Sequence, residues 1–522
     1  LGNGYFRNLE ANATCNLSGL DYFPAQILRD LKTSPAWTEK DLGMPLPNTQ
    51  HACSVCLPTW DSVVGYEEGR GKVIRKMRCG YPRFFCHPAV ERLFAEASRA
   101  LGDGGSRVVV FPTRKAAQRA QRYVEQRTGS ALRISSYEGG QALIMPEADY
   151  SVAMEYWRYT GEIITSRRAE HLVQGSATQD FATRCLRSRI SELGGYAPEN
   201  VFLYENGMAG IFGVSRALTK MFPGKKTLQL EFPYVDALRV QNHFGCGVVF
   251  LNHAVGESLE EALQRIRRGE FAAVFTETPS NPLLRTVDLA MVASACRAGG
   301  VPLIVDDTTC SVANVKVIDY ADAVITSLTK WISGKGDVMA GQVTLNPDSV
   351  WYSDFREFFE EDCPEGTRLF SGDARVLASN VREFGERMKV SNTSGELLAD
   401  LLMSHPAVEQ VYYPKFTTPE LYREIQRDSD GVSGPPGYGG LMSFVLKNRK
   451  KSAKFFDALK MSKGPSLGTE FSLACPFTLL AHYDELQWAE GCGLDRHLIR
   501  ISVGLEDSQD LLATLAEALE NA

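Results

Sequence analysis

Residues 321 to 341 bring an apolar run to its end at Ser327-Leu328-Thr329-Lys330 and follow it with the small and turn-forming Ser333, Gly334 and Gly336. A lysine amine that leaves a strand end among small hydroxyls is poorly solvated, so it can be neutral and nucleophilic near pH 7 and form a Schiff base with a carbonyl cofactor. Taken alone, Lys330 has a plain alternative: a surface lysine with its stem on the protein and its charge in water. The other chemistry-bearing positions decide between the two.

Asp306 ends the apolar run 303–305, where a carboxylate can hold a cofactor's pyridine nitrogen in its protonated form. Its ordinary alternative is a helix cap. Glu205-Asn206-Gly207-Met208-Ala209-Gly210 falls where a strand passes into a helix, and the N–H groups of Gly207 and Met208 are suited to a phosphate. Ser327 and Thr329 offer hydroxyls to the same phosphate, or simply cap the turn. Tyr234, just after the run 228–232, is placed to stack on a ring or to fill the core. Arg500 interrupts an apolar strand pattern, which is costly for an unpaired charge and so favours a functional role.

Elements that could position these groups recur regularly. Short apolar runs at 201–204, 228–232, 248–251, 271–276, 303–305 and 323–326 alternate with helical patterns such as 209–222, 259–268 and 289–298. That order predicts an α/β fold: a mainly parallel sheet covered on both faces, with ligands beyond the carboxyl ends of its strands. A long helix at about 381–403 leads to a second, α+β region with strands at 408–412, 441–446 and 498–503 and helices at 450–459 and 508–520, the last capped by Asp507. Glycine and proline make 431–440 a loop.

Ahead of this, residues 1 to about 50 read as an extended arm, 51–88 as an aromatic-rich stretch needing cover, and 89–150 as a small α/β insertion with helices at 89–101 and 115–126 around a strand at 107–111. A 522-residue chain that is 44% hydrophobic and 23% charged can bury a large core. With a formal charge of −7 and no basic block, nucleic acid is not an expected partner, and no apolar run is long enough to expect a membrane span. The 12 cysteines are spread thinly, so reduced thiols and a cytoplasmic location are expected. Cys53-Ser54-Val55-Cys56 with Cys79, Cys86 and His87 lacks regular ligand spacing, and no metal is expected there. Asn12 and Asn16 fit the glycosylation pattern, which says little without a secretory signal.

The motifs Thr278-Pro279-Ser280-Asn281-Pro282-Leu283, Val305-Asp306-Asp307-Thr308, Ser327-Leu328-Thr329-Lys330, Gly336-Asp337-Val338-Met339-Ala340-Gly341, Pro465-Ser466-Leu467-Gly468 and Ile499-Arg500-Ile501-Ser502-Val503-Gly504 occur in that order. Over about residues 150 to 520 the chain thereby resembles the pyridoxal-phosphate enzymes of cysteine and methionine metabolism, the cystathionine γ-synthase group. The stretches 51–88 and 466–504 resemble the longer fungal type and its relatives in secondary metabolism.

The resemblance implies a fold-type-I, aspartate aminotransferase-like large domain over 151–388, a C-terminal α+β domain over 389–522, and an arm with the insertion over 1–150. It implies pyridoxal 5'-phosphate held by Lys330, with Asp306 on the ring nitrogen, Tyr234 stacked, Asn281 near the ring oxygen, and Gly207, Met208, Ser327 and Thr329 on the phosphate. Lys330 would also shuttle protons, and Arg500 with Ser466 and Leu467 would bind the substrate carboxylate. The family's Tyr-x-Arg phosphate clamp, supplied across a dimer interface, has two candidates here, Tyr156-Trp157-Arg158 and Tyr81-Pro82-Arg83; Gly161 and the helix leading to Gly207 favour Arg158, with Arg167 and Arg168 as substitutes. A homodimer or dimer of dimers is implied. The implied reaction is γ-replacement on an O-activated homoserine, the acetyl ester, by cysteine's thiol to give cystathionine, with a carbon or amine nucleophile or a γ-lyase outcome as alternatives. Pro465 stands where bacterial γ-synthases tend to carry glutamate, which puts cysteine as second substrate in question.

Overall fold

The computed structural model describes residues 29–174, 181–428 and 435–520. The arm expected over residues 1–28, with Asn12 and Asn16, and the first part of the 431–440 loop lie outside the described residues.

The alternating runs form a seven-stranded sheet. In chain order its strands are β4 (Val201–Tyr204), β5 (Thr227–Leu230), β6 (Val248–Leu251), β7 (Val274–Glu277), β8 (Leu303–Asp306), β9 (Ala323–Thr326) and β10 (Gly341–Leu345), and their order in space is β4-β10-β9-β8-β7-β5-β6. Neighbours from β9 to β6 are parallel, whereas β10 pairs antiparallel with both β9 and β4. Successive side chains in each strand feed opposite cores: Phe275, Ile304 and Ile325 one, Val274, Val305 and Val324 the other. With both faces covered, most of these strands read as largely apolar runs, which is why short segments sufficed to predict them. β10 was not among the expected strands, because Gly341 and Gln342 dilute its apolar signal.

Before this sheet come α1 (Trp60–Glu67), α2 (Pro88–Leu101), β1 (Ser106–Phe111), α3 (Arg114–Thr128), β2 (Arg133–Tyr137), β3 (Gly140–Pro146) and α4 (Tyr150–Thr160). The insertion at 89–150 gains a hairpin that the sequence reading did not include, giving an antiparallel sheet of order β1-β3-β2. Val108, Val110, Leu143, Trp157, Phe202 and Phe212 belong to one apolar core, so this unit packs directly onto the large sheet.

The helices of the large sheet that matter for the site are α5 (Gly207–Met221) and α6 (Val235–His243). Asn206 caps α5 by accepting from Ala209 N at 3.1 Å while its amide donates to Gly161 O at 2.7 Å, which fixes α4 against α5. Gly341 lies under this turn; a Cβ there would stand 2.4 Å from the Asn206 carbonyl.

The C-terminal region has the helix α7 (Phe384–Ser404) and the strands β11 (Val408–Tyr412), β12 (Leu441–Leu446), β13 (Ser462–Lys463), β14 (Leu473–Pro476) and β15 (Ile499–Ser502), ordered β11-β12-β15-β14-β13. Helices α8 (Phe477–His482) and α9 (Ser508–Glu520) complete it. Asp507 accepts from Gln509 N at 2.8 Å and Asp510 N at 3.2 Å, the expected cap. β13 and β14 were not predicted; one is two residues long and the other contains Pro476.

Residues 36–79 cover this second sheet. Ala52, Val55, Leu57, Val63 and Val73 share a core with Phe444, Phe456 and Ile501. Leu57 N donates to Lys463 O at 2.9 Å, Lys463 N to Ala36 O at 3.1 Å, and the buried Lys463 ammonium to Pro58 O at 2.9 Å. Ser54 also bonds the Pro465 carbonyl, and Cys53 N reaches Gly336 O at 2.8 Å on the lysine loop.

Gly341→Ala should lower stability by about 1–3 kcal/mol, because the clash is with backbone and cannot be relieved by a rotamer change. An unfolding midpoint equal to that of the parent in a urea titration would contradict this.

Candidate active site

The parallel register sets Glu277 opposite Asp306 at the carboxyl ends of β7 and β8. Both side chains line one cavity together with Gly207, Met208, Tyr234, Asn281, Ser327, Lys330 and Arg500. Asp306 accepts from Thr308 N at 2.9 Å. Glu277 accepts from Tyr234 N at 2.7 Å and from the Thr309 hydroxyl at 3.0 Å. Burial pushes both carboxyls above their usual range, and Asp306's charge pushes Glu277 further. Neither carboxyl has an ion-pair partner among the described residues, so burial favours their protonated forms until a cation pairs with them.

Lys330 reaches this floor from the loop after β9. Its amine donates to Ser466 Oγ at 3.0 Å and lies 4.5 Å from the centre of the Tyr81 ring. Burial, reinforced by the positive charges of Arg500 and Arg83, brings its pKa down to about 7. The loop itself is gripped by Arg387, which donates to Ile332 O at 2.8 Å and Ser333 O at 3.0 Å. Thr329 is turned into the same scaffold: its hydroxyl accepts from Ala340 N at 3.0 Å, and it is not on the cavity wall.

At the opposite end, Gly207 and Met208 open the first turn of α5, whose leading N–H groups have no intrahelical acceptor. Ser327 closes against them; a Cβ on Gly207 would come 3.0 Å from that of Ser327. Arg158 lines this part of the cavity and faces Asp236 at 3.8 Å. Arg83 lines it as well, donating to Asp236 at 2.9 Å, to Arg158 O at 2.5 Å and to the Tyr234 hydroxyl. Both arginines reach the cavity from its own chain, where the resemblance placed one such clamp across a subunit interface.

Arg500 projects from β15. Its guanidinium donates to Asn281 Oδ1 at 3.0 Å and to Ser466 O at 2.9 Å, with Phe477 beneath it at 4.7 Å. Ser466 has φ of 104°, a left-handed conformation that serine adopts at a cost, and its hydroxyl and carbonyl reach Lys330 and Arg500 respectively. Leu467 also lines the cavity.

Of the positions singled out from sequence, Lys330, Asp306, Tyr234, Gly207, Met208, Asn281, Ser327, Arg158, Arg500, Ser466 and Leu467 are brought together, and Thr329 and Tyr156 are not. Tyr156 is buried beneath α4, donating to Glu162 at 2.5 Å, because two residues along a helix turn the side chain to another face from Arg158. Arg167 serves elsewhere, donating to Asp337 O and Asp373, and Arg168 donates to Pro112 O. Glu277 was overlooked, although it follows an apolar strand as Asp306 does. The cysteines near residue 51 do not converge: Cys53, Cys56 and Cys79 each donate to a different carbonyl, and no cluster suited to a metal occurs among the described residues. The described cysteines are unpaired, and no described helix is long and apolar enough to cross a membrane.

Residues 162–520 match the Cys/Met metabolism PLP-dependent enzymes, and residues 89–165 match the N-terminal domain of fungal trans-sulfuration enzymes. The chain belongs to the first of these families. Among relatives of this PLP-dependent family, the cystathionine gamma-synthase of Neurospora crassa is 31% identical over 92% of this chain and 98% of its own. A cystathionine gamma-synthase-like enzyme of Amanita muscaria is 29% identical over 92% and 96%. The crystal structure of cystathionine gamma synthase from Xanthomonas oryzae pv. oryzae, in complex with aminoacrylate and cysteine, is similar with a TM-score of 0.57 at 28% identity, covering 66% of this chain and 86% of that one. The protein is a PLP-dependent enzyme of this family with an α/β fold and an N-terminal extension. Its cavity fits that cofactor: a partly neutral lysine, a carboxyl pair that lacks a cation, a tyrosine ring, and a helix start beside serine and arginine.

In cofactor-free protein, competitive amine labelling followed by mass spectrometry should place the midpoint of Lys330 near 7, well below exposed lysines. A midpoint near 10, the ordinary lysine range, would show that the site does not desolvate the amine.

Proposed function

We propose that the enzyme catalyses γ-replacement on an O-activated L-homoserine, with the O-acetyl ester as substrate and a small nucleophile as partner. The observation that carries this reading is Ser466, whose carbonyl takes Arg500 and whose hydroxyl takes Lys330 Nζ. A substrate carboxylate gripped by Arg500 thus brings its Cα next to the amine that must deprotonate it. The names of the relatives favour reaction at Cγ over reaction at Cα alone.

Bound pyridoxal phosphate supplies the electron sink for a carbanion. Asp306 would hold its ring nitrogen, Tyr234 its face, and Gly207, Met208, Ser327 and Arg158, with Arg83 beside them, its phosphate. Asn281 orients Arg500 through its side-chain oxygen. Lys330 Nζ, neutral in part at pH 7, takes the proton from Cα and then serves as the shuttle for a proton at Cβ while the Cγ–O bond breaks and acetate leaves. The nucleophile bonds to Cγ and the protons return in reverse order. The assembly we propose is a homodimer or dimer of dimers, which light scattering checks directly.

Incubation with O-acetyl-L-homoserine and a thiol should release acetate and give a thioether mass, with Lys330→Ala abolishing both along with the visible absorption of lysine-bound cofactor. Exclusive release of 2-oxobutanoate would mark a γ-lyase instead. Arg500→Lys, which loses the two-pronged grip, should reduce kcat/KM for the homoserine ester by about 10- to 100-fold, mainly through KM. Unchanged kcat/KM in this variant would remove Arg500 from the carboxylate site.

A further inference from the structure

Beside and beyond Arg500 the cavity wall changes character. Phe477, Leu480 and Ala481 of α8 meet Tyr66 of α1, which packs against that helix, and Tyr81 and Pro465 complete the surface, whereas Phe84 lies against Arg83 and Arg158. Leu480 and Ala481 are half-buried. With a first substrate held by Arg500, this surface is the uncharged part of the cavity lining left to meet a second.

The charges that line the cavity are engaged elsewhere. Arg500 faces Asn281, Ser466 and the proposed substrate carboxylate; Lys330 serves Cα. Arg83 is spent on Asp236, Arg158 O and Tyr234, and Arg158 stands at the phosphate end between Asp236 and the Phe84 ring. Arg239, on the same helix as Asp236, is off the cavity wall and faces Asp236 at 3.6 Å and Glu485 at 3.2 Å. The two lining carboxyls, Glu277 and Asp306, lie on the floor with partners of their own. An amino-acid nucleophile would bring an ammonium and a carboxylate against aromatic and aliphatic side chains, and charges buried without partners are strongly disfavoured.

We propose that the nucleophile accepted at this wall is uncharged and apolar-bodied, without the carboxylate of cysteine. This rests on the γ-replacement reading above. With a thiol as the probe, the S–H bond and the Cγ–O bond break and a C–S bond forms at Cγ. Acetate leaves, the thiol's proton passes to solvent, and no oxidant is required.

The test compares propane-1-thiol with 3-mercaptopropionate, whose thiols ionise over a similar pH range and which differ in the carboxylate, with L-cysteine as a third arm. The holoenzyme and O-acetyl-L-homoserine are used, and thioether formation is followed. Propane-1-thiol should exceed 3-mercaptopropionate in kcat/KM by about tenfold or more. Leu480→Arg, checked for fold by circular dichroism, should shift that ratio towards the carboxylate. By calorimetry, Lys330→Ala protein should bind S-propyl-L-homocysteine more tightly than L-cystathionine, a readout independent of turnover. Equal or better use of 3-mercaptopropionate or cysteine overturns the inference while leaving γ-replacement standing. Absence of acetate release with every nucleophile takes down the parent reading and this one with it.

Discussion

The buried carboxylate of Asp236 is the interaction on which the site's geometry depends. It accepts from Arg83 at 2.9 Å and stands 3.8 and 3.6 Å from Arg158 and Arg239, so residues from the N-terminal region, α4 and α6 converge on one anion. Its own pKa is held low by those guanidinium groups in spite of burial, so it stays charged. A buried ion is tolerable only with its partners in place, and removing one leaves the rest uncompensated. The same Arg83 that satisfies Asp236 also bonds the Tyr234 hydroxyl, while Glu277 takes Tyr234's backbone N–H. Electrostatic necessity thereby becomes placement of a ring on the cavity wall.

Much of this was legible in the sequence because short apolar strands and the residues directly after them are local signals. Asp306 and Lys330 follow runs buried on both faces, and Arg500 stands out as a charge within one. What escaped depends on contacts distant in sequence or on helix phase. Tyr156 and Arg158 are two residues apart, and a helix sends them to opposite surroundings, one to Glu162 and the other to the cavity. Thr329 has the right type and spacing for a phosphate but is taken by Ala340, a partner set by the return of β10. Arg83 was a candidate only by motif; nothing local says that 153 residues later an aspartate waits for it. The aromatic stretch 51–88 was recognised as needing cover, and the structure identifies that cover as the C-terminal sheet and the cavity rim.

Charge is distributed through the cavity by function. The floor holds two carboxyls, the end at Gly207 holds cations and a helix start, and one arginine is joined through Ser466 to the lysine. The remaining wall carries no charge. Proteins seldom leave buried ionisable groups unpaired, so such a partition is also a map of which part of the reacting system meets which surface.

The ties between residues 36–58 and residues 462–465 have a consequence for how the chain comes together. Ala36, Leu57 and Pro58 are bonded to Ser462 and Lys463, more than 400 positions later. During synthesis residues 36–58 emerge with their apolar face ready well before their partners, which lie more than 400 positions later. Contacts of such separation form late. Since Cys53 in that segment also bonds Gly336 on the loop that carries Lys330, this lysine acquires its final surroundings only when the two distant segments have met.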